Sequence, residues 1–250
     1  MKDGIIIQAR TGSTRLPAKI LRPFYGDLRI IDLMIMNIQQ TCPHIPIVLA
    51  TTDLPQDDVL ESVAREKNIL CYRGSEEDVL ERFIGAAEKF GVERLIRVCS
   101  DNPFLRPESF MDLFAEHEVS QADYVAFGFS DGRPTIKSHL GLYAELTTLA
   151  ALKKIASLTD EKFYHEHVTI YLYTHPDEFS VDLLPIPKDL ETRTSLRFTL
   201  DTLEDFTLLQ QLYAEFVETT DKSISELLRL IEKHPDCEMR MRENIMKNEK

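Results

Sequence analysis

The chain has 250 residues, 43% of them hydrophobic and 28% charged, with a formal net charge of −13. Length and composition allow one large α/β domain or two small ones around a sizeable core, and exclude low-complexity and fibrous classes. The acidic balance argues against a nucleic-acid partner, which needs a basic face, and no apolar stretch approaches the length that spans a membrane.

Ile5-Ile6-Ile7 followed by Gln8-Ala9 reads as a short strand buried on both faces, the pattern of a central strand in a parallel sheet. Ile30 to Gln40 reads as a helix ended by Pro43 and Pro46. Ile47 to Ala50 is a second buried strand, and Pro55 opens a helix with Val59, Leu60, Val63 and Ala64 on one face. Ile69 to Arg73 is a third strand, and Glu76 to Phe90 an amphipathic helix stopped by Gly91. Leu95 to Val98, a helix from Pro107 to His117 and a strand from Tyr124 to Phe127 complete a regular alternation. Such alternation predicts a doubly wound, mostly parallel sheet with helices on both faces.

The regularity stops at Ser130 to His139, a polar, turn-rich excursion. Helix is expected again at Leu146 to Ile155 and around His165, and an edge strand at Phe179 to Ile186. Leu196 to Leu200 reads as another apolar strand, followed by helices at Leu203 to Val217 and Ile224 to Ile231. The charged tail after Pro235 is expected to fray. With no repeat and no linker, residues 1–250 read as one domain carrying a small inserted substrate lobe at about 128–195.

The stretch after the first strand concentrates Arg10, Arg15 and Lys19 around Gly12-Ser13 in an otherwise acidic chain. A loop at the carboxyl end of a central strand is where open α/β sheets bind ligands, and three cations there suit a polyphosphate. The loop is neither a Walker A sequence nor G-x-G-x-x-G. Asp101 and Asp201 each follow an expected strand and would project onto the same rim. They suit Mg²⁺ held together with phosphate oxygens; each equally suits the N-terminal cap of the helix that follows it. His165-Glu166-His167 lacks the spacing of a helical zinc motif, so a structural or acceptor-side role is the reading there. The four cysteines form no C-x-x-C and read as free thiols of a soluble cytoplasmic protein.

Five separate stretches, in order, carry a resemblance. They are Ile5 to Leu21, Tyr72 to Phe83, Ser100-Asp101-Asn102-Pro103, Glu166-His167-Val168-Thr169 with His175-Pro176, and Asp201-Thr202-Leu203-Glu204-Asp205. Together they resemble the cytidylyltransferases that activate sugars for surface polysaccharides, and most closely their spore-coat-polysaccharide branch. The resemblance implies the fold of nucleotide-diphospho-sugar transferases and transfer of CMP from CTP to an acidic or phosphorylated sugar. It implies Arg10, Arg15 and Lys19 on the phosphates, with Asp101 as a further catalytic residue. Nucleotide contacts are expected from Ala9, Gly12, Ser13, Arg73, Ser75 and Ser100, and Mg²⁺ on Asp101 and Asp201. The acceptor is expected against Arg133, Lys137, His139 and Glu166, and the protein is expected to pair as a homodimer through the apolar 140–175 region. Two positions depart from the family pattern. Ala18 stands where Gly is usual, which matters if that residue needs a positive φ, and Leu203 stands where Pro usually opens a helix. Two rival readings share the architecture: a glycosyltransferase using a nucleotide sugar, which would normally show D-x-D, and a nucleotide-binding relative without turnover.

Overall fold

A computed structural model describes residues 1–248. The first half runs β1 (Asp3–Gln8), a small hairpin of β2 (Pro23–Tyr25) and β3 (Leu28–Arg29), α1 (Ile30–Thr41), β4 (Ile47–Thr52), α2 (Asp58–Glu66) and β5 (Leu70–Gly74). It continues through α3 (Val79–Phe90), β6 (Arg94–Cys99), α4 (Phe110–Ser120) and β7 (Tyr124–Gly128). Then come β8 (Glu145–Thr148), α5 (Leu149–Leu158), α6 (Lys162–Glu166), α7 (Ile170–Thr174), β9 (Val181–Pro185) and α8 (Lys188–Glu191). Three helices close the described chain: α9 (Leu203–Glu218), α10 (Ile224–Lys233) and α11 (Pro235–Asn248).

Seven strands form one sheet in the order β5-β4-β1-β6-β8-β7-β9. It is parallel except for β8, which runs antiparallel to both β6 and β7. The isoleucine run explains why β1 sits inside. Ile5 and Ile7 face one apolar layer with α1 and α9 residues, Ile6 faces the other with α3 and α5 residues, and all three are fully buried. The mostly parallel, two-faced sheet is the fold the alternation predicts. Among the described residues no helix is long and apolar enough to cross a membrane.

Five expectations are corrected. Glu145–Thr148, partly assigned to a helix from Leu146, is the antiparallel strand β8, and α5 begins only at Leu149. Thr148 supplies the reason, because its side chain accepts from the Ala151 N–H at 3.0 Å and caps the helix there. Leu196 to Leu200 is extended and buried but belongs to no strand; its N–H groups go to loop carbonyls, Phe198 to His139 and Leu200 to Asp101, each at 2.9 Å. The tail after Pro235 is helix α11, not frayed: Cys237, Met241 and Ile245 are buried on one face. Val59 is 38% exposed, so the buried face of α2 is Leu60, Val63 and Ala64 alone. The helix expected from Glu76 starts at Val79, with the Asp78 side chain accepting from the Glu81 N–H at 2.8 Å. All four cysteines are free; Cys42 and Cys237 are buried, while Cys71 and Cys99 are half-buried.

Candidate active site

The loop after β1 is held from below by one residue. Asp57, fully buried, accepts from the Thr11 N–H at 2.8 Å and from the Thr11 hydroxyl at 2.6 Å, and also from the Thr52 hydroxyl at the end of β4. The loop closes on itself where the Ala18 N–H donates to the Thr11 carbonyl at 3.0 Å. Ala18 has φ 52° and ψ 29°, the left-handed conformation that the family's usual Gly adopts without strain. That turn drives Lys19 inward, leaving it 9% exposed.

Lys19 joins both predicted carboxylates. Its Nζ lies 2.9 Å from Asp101 Oδ2 and 3.2 Å from Asp201 Oδ1, and it donates to the Leu200 carbonyl at 2.5 Å. The Leu200 N–H bond to the Asp101 carbonyl brings the two acidic residues side by side. Asp201 also meets Arg15 at 2.8 Å and Arg197 at 2.9 Å. Burial pushes the Lys19 ammonium down, but Asp101 and Asp201 outweigh it and hold it above its ordinary value. Burial likewise pushes the Asp201 carboxyl up, yet Lys19, Arg15 and Arg197 prevail and hold it below the ordinary carboxylate value.

Neither aspartate is a helix cap. For α9 that role belongs to Thr202 and Asp205, which cap each other reciprocally. Asp205, 2% exposed, also takes Arg197 Nε at 2.8 Å and Asn244 Nδ2 of α11 at 3.1 Å. Arg197 is thus fixed between Asp205 and Asp201, and Asp201 is left facing the cavity.

The cavity, about 240 Å³, is lined by Arg10, Ser13, Thr14, Arg15, Lys19, Ile20, Ser100, Asp101 and Asp201, together with Gln8 and Cys99. It therefore brings together seven predicted residues: Arg10, Ser13, Arg15, Lys19, Ser100, Asp101 and Asp201. Ala9 is buried at its edge, and Gly12 lies against Gln56 and Glu76. Arg73 and Ser75 are outside the lining. The Arg73 guanidinium braces the loop after β4, donating to the carbonyls of Thr52 at 3.0 Å and Leu54 at 2.9 Å, and Ser75 Oγ accepts from the Asp78 N–H at 3.0 Å.

Arg133, Lys137 and His139 line a second cavity of about 400 Å³, with Arg193 and Ile245. His139 Nδ1, 2.6 Å from Arg197 Nη1, connects it to Asp201. Glu166, exposed at the end of α6, lines neither cavity. His165 is structural: Nδ1 lies 2.6 Å from Asp78 and Nε2 2.9 Å from the Thr159 carbonyl. Sequence reasoning missed Gln8 and Cys99, whose signal was a polar or sulfur residue closing an apolar strand, Asp205, whose signal was its place three residues after Thr202 at the start of a helix, and Asp57 and Arg197, which carried none. Burial pushes the Cys99 thiol up to about 11, so it stays neutral.

Two carboxylates meeting on one ammonium are hard oxygen donors of the kind Mg²⁺ takes together with phosphate oxygens, so these residues fit such an ion. No third His, Cys, Asp or Glu joins them among the described residues.

A parallel-centred sheet with a cationic loop and paired carboxylates at its carboxyl edge defines a nucleotidyltransferase-like protein. The match to the cytidylyltransferase family model over residues 4–248 is specific, and the chain belongs to that family. It is 35% identical to the spore coat polysaccharide biosynthesis protein SpsF of Bacillus subtilis, over 93% of this chain and 95% of that one. A solved cytidylyltransferase of Leptospira borgpetersenii is 28% identical with a TM-score of 0.81, covering 95% of this chain and 96% of that chain. A CMP:2-keto-3-deoxy-manno-octonic acid synthetase, solved with CTP, shares the fold at TM-score 0.62 and 16% identity, over 86% of this chain and 99% of that one.

Proposed function

We propose that the protein transfers CMP from CTP to an acidic or phosphorylated sugar and releases pyrophosphate, in the making of a surface polysaccharide or glycan. The observation that carries the reading is Lys19 bridging Asp101 and Asp201 beneath a loop with Arg10 and Arg15. In this reading Arg10, Arg15 and Lys19 bind the triphosphate, Ser13 and Ser100 donate to its oxygens, and Ala9, Gly12, Arg73 and Ser75 shape the base side. A hydroxyl of the sugar attacks the α-phosphorus, the bond to the β-phosphate oxygen breaks, and the hydroxyl proton leaves to solvent. The cations hold the phosphates in line and neutralise the charge that builds on the departing pyrophosphate. Asp101 and Asp201 would hold Mg²⁺, which when bound supplies further charge neutralisation at the phosphates. Arg133, Lys137 and His139 present cationic and donor groups for the acceptor, with Glu166 further out. Residues 128–195 form the acceptor-side and dimerising excursion of a single domain, and the unpaired cysteines fit a cytoplasmic setting.

The test is pyrophosphate release with CTP, Mg²⁺ and a panel of 2-keto-3-deoxy acids and phosphorylated sugars, wild type against Asp101→Ala. Release that needs one sugar and is lost in the variant supports the reading. CTP binding with no release from any sugar supports the non-catalytic relative, and no CTP binding removes the nucleotide assignment.

A further inference from the structure

Gln8, the last residue of β1, lines the cavity but belongs to none of its charged groups. Its carboxamide oxygen accepts from Arg97 Nη2 at 3.3 Å. An arginine has donors only, so the oxygen must face Arg97 and the NH₂ group must turn away from it. Ile6 and Gln8 of β1 stand opposite Arg97 and Cys99 of β6, so all four share the sheet face covered by α3, α5 and α7.

Arg97 is itself fixed. Its Nη1 lies 2.6 Å from Glu145 Oε2 of β8, the two side chains being 8% and 3% exposed. Glu145 Oε1 accepts from the Thr169 hydroxyl at 3.0 Å and from the Tyr124 hydroxyl at 2.5 Å. Thr169 is the last residue of the Glu166-His167-Val168-Thr169 stretch, to which the proposed chemistry assigns no task beyond Glu166. A buried ion pair is seldom more stabilising than apolar residues of the same volume. What this one does accomplish is to hold one carboxamide in one orientation.

We propose that Gln8 is a specificity-determining residue whose Nε2 donates to an oxygen of the acceptor sugar, and that Arg97, Glu145 and Thr169 are positioning residues that aim it. The proposal rests on the cytidylyl-transfer reading above. The triphosphate cations all lie on the loop 10–19, and the base side lies toward β4 and β5. Gln8 is on the other flank, linked through Arg97 and Glu145 to β8 and to Thr169 inside the 128–195 excursion. A neutral donor among cations selects for a placed oxygen rather than for charge, and sites built to hydrogen-bond a substrate oxygen reject analogues lacking it.

Gln8→Met removes both donors at similar volume, and Gln8→Glu keeps a partner for Arg97 while turning an acceptor into the cavity. For Gln8→Met, CTP affinity by calorimetry should stay within about twofold of wild type. Its kcat/KM for the responding sugar should fall on the order of ten- to a hundredfold, the loss of one or two hydrogen bonds. Gln8→Glu should fall at least as far. Thr169→Val should lower the same constant less, and should add little in a Gln8→Met background, as one chain of contacts requires. Equal sugar kcat/KM in wild type and Gln8→Met overturns the proposal. So does a parallel loss of CTP affinity, which would make Gln8 a nucleotide residue or a structural one. If wild type binds CTP but uses no sugar, the transfer reading itself has failed, and this proposal fails with it.

Discussion

Ala18→Gly should stabilise the protein, although it removes a methyl group and adds nothing. At φ 52° and ψ 29° the Ala18 side chain crowds its own backbone, a conformation that costs an L-residue about 1–2 kcal/mol. Glycine relieves that strain but adds freedom to the unfolded chain, a loss of about 0.4–1 kcal/mol. Ala18 is half-buried, so its methyl gives up a few tenths of the ~0.8 kcal/mol for a fully buried carbon. The balance is a gain of about 0.5 kcal/mol, or a melting point higher by about 1–2 °C for a chain of this size. Urea denaturation is the assay: the midpoint should rise with the slope unchanged. Ala18→Val is the opposite control, because a β-branched residue tolerates this conformation worst, and it should lose more than about 1 kcal/mol. A midpoint that falls in Ala18→Gly, or one that holds in Ala18→Val, would refute the claim that this residue is strained.

Lys19→Met should lower the rate of pyrophosphate release on the order of a hundredfold, as removal of one charge-stabilising donor does, measured in single turnover; Lys19→Arg should not rescue it, since the buried slot is shaped for a compact ammonium. The His165 imidazole is pushed down by burial, but the Thr159 carbonyl and Asp78 outweigh this and hold its pKa above the ordinary 6.5. Its contribution to stability is therefore full below about pH 6.5 and lost as pH rises through the folded value, and the difference in urea midpoint between wild type and His165→Gln should shrink over that window. Lys19 occupies the space between the two carboxylates, so Mn²⁺ followed by electron paramagnetic resonance should bind weakly to the free protein and more tightly with CTP. By linkage CTP should then bind more tightly with Mn²⁺, by the same factor.

How far the sequence carried depends on how local each cause is. Ile5-Ile6-Ile7 states its burial on both faces in three letters, and the central position of β1 follows. The cationic loop was equally plain, because Arg10, Arg15 and Lys19 are close in sequence and all line one cavity. β8 was hidden because Leu146, Leu149 and Leu152 mimic a helical period; what makes Glu145–Thr148 a strand is pairing with β6 and β7, which is not local. In α11 the dense charges masked a stripe of Cys237, Met241 and Ile245 that finds its partners only after the sheet is built. Asp101 and Asp201 were legible as strand-end carboxylates, yet the second "strand" is an extended segment held by bonds to loop carbonyls, those of His139 and Asp101 among them. The residues expected on the acceptor side were least legible, since Arg133, Lys137 and His139 line a separate cavity that Arg197 links to Asp201.

Three buried polar brackets share one logic. Asp57 fixes Thr11 and so the loop; Arg197, 1% exposed and paired with Asp205, fixes Asp201; Arg97, paired with Glu145, fixes Gln8. Each is anchored on a different element outside the cavity and ends on one residue of its loop or lining. Apolar residues of equal volume would pack these interiors at no loss of stability, and often at a gain. They would not, however, dictate which atom of Asp201 or Gln8 faces the ligand, because dispersion has no direction while a hydrogen-bonded guanidinium does. A reaction that depends on placing a phosphorus and an attacking oxygen in line benefits from that direction more than from stability. Asp57, Arg197 and Arg97 lie outside the cavity lining, so each acts on a ligand only through the residue it aims.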